Sequence, residues 1–151
     1  MCCGRLLADL QLDGLSTADP SAHIDLSPTP TAARIARAFL ADHLGGLSSE
    51  SADAATLCAS ELVTNGVLHA RTSLVFGVTT GRDWLLVTVA DHAAGQPYPS
   101  PPDDERPSGR GLVLVDALAT HWGVHEMDDG KTVWFTVPRD ADVYEGAAGG
   151  D

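Results

Sequence analysis

Apolar and polar positions divide the chain into short blocks of differing period. Ala22-His23-Ile24-Asp25-Leu26 alternates, as a short edge strand does, and Ser27-Pro28-Thr29-Pro30 ends it. Thr31 is a good N-cap for a helix reaching about Leu44, with Ala33, Ile35, Ala36, Phe39 and Leu40 on its apolar face. Gly45-Gly46 is the stop signal. Ser48 or Ser49 caps a second helix that runs to about His69, with Glu50 and Asp53 favourable near its N-terminus. Strands follow at Ser73 to Thr79 and Trp84 to Ala90, joined by a hairpin turn at Thr80-Gly81-Arg82-Asp83. Leu85 to Ala90 is almost continuously apolar, as a central strand buried on both faces is.

The stretch from His92 to Ser108 carries five prolines, too many for a helix or strand, and is long for a connection within a domain. Leu112 to about Thr120 reads as a third helix, Trp122 to Glu126 as a short strand, Asp128-Asp129-Gly130 as a turn and Lys131 to Val137 as the last strand. The order predicts an α+β two-layer sandwich, a mostly antiparallel sheet with helices on one face. We expect one domain over residues 21–138, a flexible lead over 1–20 and a disordered acidic, Gly/Ala-rich tail over 139–151.

One line of residues on the second helix does not fit a plain amphipathic pattern. Glu61, Asn65 and His69 stand at i, i+4 and i+8 and so share a face. Leu57, Cys58, Leu62, Val63, Val67 and Leu68 flank them, and most are expected to face the core. Burying such groups without partners costs about 1–3 kcal/mol each. One reading makes them ordinary partners on a half-exposed face. The other points them at a bound polyphosphate and its metal, because a carboxamide oxygen is a hard ligand suited to Mg²⁺. Gly66 within this helix costs about 0.8–1 kcal/mol relative to alanine, which close approach of a backbone or ligand would explain. Asp91 ends the buried strand, where crevices open, though aspartate is also common in turns. Gly109-Arg110-Gly111, just before a helix, can turn backbone N–H groups toward an anion or can be a simple turn.

Composition narrows the partners. The net charge is −12 with only 9 Lys and Arg residues, which lacks the basic footprint of a nucleic-acid or anionic-membrane binder. No apolar run approaches the roughly 20 residues of a membrane span, and no signal peptide is apparent. Cys2, Cys3 and Cys58 form neither a disulfide framework nor a metal knuckle, which fits a cytoplasmic location.

Glu61-Leu62-Val63-Thr64-Asn65 followed by His69-Ala70, Asp91 after a buried strand, Gly109-Arg110-Gly111-Leu112 followed by Val115-Asp116-Ala117-Leu118 and Trp122-Gly123, and Thr132 in the last strand occur in a fixed order. Together they resemble the GHKL ATPase superfamily with its Bergerat ATP-binding fold. More narrowly, the chain resembles small bacterial ATP-binding regulators of the anti-sigma factor and serine/threonine protein kinase type, over about residues 28–137. The resemblance implies ATP and Mg²⁺ as cofactors. Asn65 would bind the metal. Glu61 would hold metal-bound water and serve kinase members as general base. Asp91 would accept from the adenine amino group, with Thr132 in support. Gly95 loosely matches the glycine of the second motif, and Gly109, Arg110, Gly111 and Leu112 would form the end of the lid over the phosphates. His69 would only fix the helix end, and His92, His121 and His125 are read as structural or surface residues.

The departures are Asp91-His92-Ala93-Ala94-Gly95-Gln96-Pro97 at the second motif, a short Pro-rich lid and Gly66 in place of alanine. The resemblance implies a kinase acting on a serine or threonine of a protein antagonist and binding a sigma factor, with a homodimer compatible. The alternative is a non-catalytic binding module, ATP-dependent or nucleotide-free. A sensor histidine kinase is disfavoured, since the chain lacks the length for a phosphoacceptor helix pair and a sensor.

Overall fold

Five antiparallel strands and three helices account for the computed structural model, which describes residues 22–92 and 107–139, with the backbone alone for 107–111 and 127. The strands are β1 (Ala22–Leu26), β2 (Leu74–Thr80), β3 (Trp84–Ala90), β4 (His121–Met127) and β5 (Gly130–Pro138), in the spatial order β1-β2-β3-β5-β4. The helices are α1 (Ala32–Ala41), α2 (Ser49–His69) and α3 (Pro107–Leu118). This is the α+β sandwich that the apolar pattern predicts.

Strand alternation decides the two faces of the sheet. Leu74, Phe76 and Val78 of β2, Leu85, Val87 and Val89 of β3, and Val133, Phe135 and Val137 of β5 all enter the main core. There they join Ala36 and Leu40 of α1, Ala55, Cys58, Leu62 and Val63 of α2, and Val115 of α3. Each fully buried Val, Leu or Phe contributes about 1.5–3 kcal/mol. The other face holds a smaller cluster in which Leu86 and Trp134 are wholly buried and Trp84 packs beside them. β3 is therefore central and buried on both sides, as its near-continuous apolar run requires.

Helix α2 is the spine of the second layer, touching α1, α3, β2, β3 and β5. Ser48 caps it, its hydroxyl accepting from the Ser51 amide at 3.0 Å. Of the apolar residues flanking its polar line, Cys58, Leu62 and Val63 are buried, while Leu57 and Leu68 are 42% and 47% exposed.

Three helix boundaries differ from the sequence reading, while strand ends shift by at most a single residue. Helix α1 ends at Ala41, not Leu44. The amides of Asp42 and His43 close on Phe39 and Leu40, so the helix has stopped before its glycines. Gly46 instead turns the following loop at φ +85°, and Arg139 lies against it. Helix α3 begins at Pro107, so Gly109, Arg110 and Gly111 lie within it rather than before it. Proline suits a first helical turn because its ring presets φ and it lacks an amide that would go unpaired. The same helix ends at Leu118, short of Thr120. The 1–20 lead, the 140–151 part of the tail and Gly95 lie outside the described residues.

Candidate functional site

The C-terminal half of α2 lies over the ends of β3 and β5, and the predicted polar line meets the sheet there. Asn65, Gly66 and His69 of α2 share one small cavity with Leu62, Leu74, Val89, Asp91, Lys131 and Val133. Gly66 is explained by a strand side chain. A Cβ at this position would stand 3.0 Å from both methyl carbons of Leu74. The glycine thus lets α2 settle onto β2 at the cavity floor.

Asn65 is 2% exposed, and neither its amide nitrogen nor its oxygen has a hydrogen-bond partner among the described residues. An orphaned buried carboxamide is costly and needs an explanation. Its oxygen suits a hard cation such as Mg²⁺, and its NH₂ suits a phosphate oxygen. On this test the residues present fit a metal–polyphosphate group.

Asp91 is placed by strand register. β3 and β5 pair from Trp84↔Pro138 to Ala90↔Thr132, and one further step sets Asp91 opposite Lys131. The Asp91 amide donates to the Lys131 carbonyl at 2.9 Å. The Lys131 amide donates to Asp91 Oδ1 at 3.3 Å, and Lys131 Nζ donates to Oδ2 at 3.0 Å. Both side chains are buried, 6% and 8% exposed. Gly130 makes this approach possible. It has φ +149°, and a Cβ there would lie 2.0 Å from the Asp91 carbonyl oxygen. Thr72 fixes the next residue, its hydroxyl accepting from the His92 amide at 3.1 Å.

The remaining predicted residues divide. Glu61 is half-buried one turn before Asn65, outside the cavity lining. Thr132 is half-buried and pairs with Ala90, next to Asp91 along the strand, and alternation turns its side chain to the face opposite Lys131 and Val133. Lys131, read from the sequence only as the start of a strand, is the residue that bonds to both carboxylate oxygens of Asp91. The only signal for it was register, which cannot be counted before the pairing is known. Leu112 packs on the core, and Gly109, Arg110 and Gly111 contribute backbone in the first turns of α3. His125 lies on β4 with His121, and no group of three or more metal-ligating side chains occurs among the described residues.

Burial, and then the neighbouring Glu61 carboxylate, push the Cys58 thiol up to about 12. That thiol is an inert core group rather than a nucleophile. A larger open groove of about 910 Å³ lies around the N-terminal half of α2, lined in part by Ser48, Leu57, Arg82, Leu118 and Arg139. It holds none of the predicted site residues.

An antiparallel sheet under a long helix, with a helix-borne asparagine facing a strand-end aspartate, defines a class. The chain belongs to the histidine kinase-like ATPase domain family, whose profile matches residues 26–137. No curated protein matches it. Among solved structures, the RsbU and RsbW domains of Rv1364c from Mycobacterium tuberculosis superpose with a TM-score of 0.59 at 24% identity, over 82% of this chain and 33% of that one. At that identity the likeness speaks for the fold, and this chain spans about a third of that chain's length. A blue-light activated histidine kinase from Erythrobacter litoralis has a histidine kinase domain with TM-score 0.47 at 27% identity, over 70% of this chain and 58% of that one.

Proposed function

We propose that this chain binds ATP with Mg²⁺ at the Asn65/Asp91 cavity and acts as a regulatory protein kinase on a serine or threonine of a protein antagonist. The single observation that carries the reading is the orphaned, buried Asn65 carboxamide in a cavity shared with a strand-end aspartate, in a chain of this family. Asn65 would hold the metal and Asp91 would accept from the base. Gly95, Gly109, Arg110, Gly111 and Leu112 would belong to the cover over the phosphates. Bound Mg²⁺ would neutralise charge on the phosphates. Glu61, one turn back on α2, would take the proton of the attacking hydroxyl as its oxygen bonds to the γ-phosphorus and ADP leaves. Partners of this kind, a sigma factor and its antagonist, suit an acidic surface without a basic footprint. A homodimer is part of the same reading.

A second reading, a protein-binding module that turns over no nucleotide, is favoured by the ion pair that already occupies Asp91. Calorimetric titration of Mg-ATP into the protein and into Asp91→Asn separates them. Saturable binding that the substitution weakens at least ~tenfold, or about 1.4 kcal/mol, is the expected result. Absence of binding at millimolar nucleotide would leave the binding-module reading. Glu61→Ala is expected to keep binding and lose phosphoryl transfer.

A further inference from the structure

Lys131 is the only lysine in the chain; the other eight basic residues are arginines. That one lysine is buried in the cavity assigned to the nucleotide. Both carboxylate oxygens of Asp91 accept from it, one from its backbone amide and the other from its ammonium. The space left between these groups is about 10 Å³, about enough for one water. Ligand sites run to about 300–1,000 Å³. The acceptor that a base would use is thus engaged by a residue of the same chain, whose side chain lines the same cavity.

We propose that Lys131 is an internal competitor for the nucleotide base, and that its ion pair with Asp91 keeps the base pocket closed until the ammonium is displaced. The inference rests on the nucleotide reading of the site. A hydrogen bond from the base to Asp91 forms only at the expense of a charge-assisted bond already made in a buried setting. Separating the ammonium from Asp91 is costly for a buried charge. Lys131 therefore lowers affinity as a residue of the pocket, and Lys131→Met raises it.

The test is calorimetry of Mg-ATP with the unsubstituted chain, Lys131→Met, Lys131→Arg and Asp91→Asn, with circular dichroism to check folding. Lys131→Met is expected to bind at least ~tenfold tighter than the unsubstituted chain, or about 1.4 kcal/mol, and Lys131→Arg is not. Equal or weaker binding by a folded Lys131→Met, with Asp91→Asn still weakening binding, would sink the competitor and leave the nucleotide reading standing. No saturable binding by the unsubstituted chain or by Lys131→Met would remove both. Should Lys131→Met fail to fold, the unsubstituted chain still decides. Acetylation of Lys131 by an N-hydroxysuccinimide ester, followed by mass spectrometry, should be slow in the free protein and faster with saturating Mg-ATP. Slower or unchanged acetylation with nucleotide would overturn the proposal.

Discussion

Asn65 is a polar residue set into an apolar wall, with neither amide atom partnered among the described residues. If a ligand is its reason, the free protein bears a cost that the bound form does not. Asn65→Leu, close in size, should therefore stabilise the free protein by about 1–3 kcal/mol, seen as a higher urea midpoint, while abolishing Mg-ATP binding. A destabilised variant would show that Asn65 has a structural partner. Cys58 makes a separate prediction. Its folded thiol titrates near 12 against 9.0 for the ordinary group. A raised pKa means the unfolded chain loses its proton first, so this contribution is intact below about pH 9 and is lost as pH rises toward about 12. Cys58→Ala should lose less stability than the unsubstituted chain between pH 8 and pH 11. Equal losses in urea titrations would remove Cys58 as the cause.

At the scale of elements, α1 and α2 start differently although each has a hydroxyl residue at its cap position. Ser48 accepts from the Ser51 amide. Thr31 has no cap bond to its helix, and its hydroxyl pairs with that of Thr29 at 3.0 Å. Ser48→Ala should cost about 1 kcal/mol, and Thr31→Ala distinctly less. Equal costs in denaturant unfolding would mean that the observed cap geometry does not set helix stability. Both caps were legible as residue types, but which hydroxyl reaches an amide depends on backbone geometry. Ser48 is extended at φ −66°, ψ 162°, whereas Thr31 is already helical at φ −88°, ψ −3° and cannot turn its hydroxyl back. The glycines of Gly109-Arg110-Gly111 show the same limit. Pro107 could start the helix earlier than they suggest, and local signals did not rank the two.

Across the whole molecule, Arg139 joins segments distant in sequence. Its guanidinium donates to the Gly81 carbonyl at 2.9 Å and the Gly45 carbonyl at 3.3 Å. Its amide donates to Asp83 at 2.8 Å. The β2–β3 hairpin, the α1–α2 loop and the end of β5 are thereby held at one end of the domain. Arg139→Ala should cost about 1.5–3 kcal/mol, the range for hydrogen bonds to charged groups, and speed amide exchange around residues 42–47 and 81–83. Unchanged exchange there would show that the loops hold themselves. Among the described residues no helix is long and apolar enough to cross a membrane.

The sequence by itself determined the strand and helix order, the two-faced burial of β3, the polar line on α2 and the aspartate at the strand end. These follow from period and punctuation, which act over a few residues and need no distant partner. Tertiary structure alone decided that Asp91 faces Lys131, that Gly66 makes room for Leu74, and that Gly130 must lack a Cβ beside Asp91. Each of these depends on the β3–β5 register or on how α2 rests on the sheet. Such pairings join residues up to 40 positions apart, and a one-residue slip would have turned the opposite set of side chains into the site.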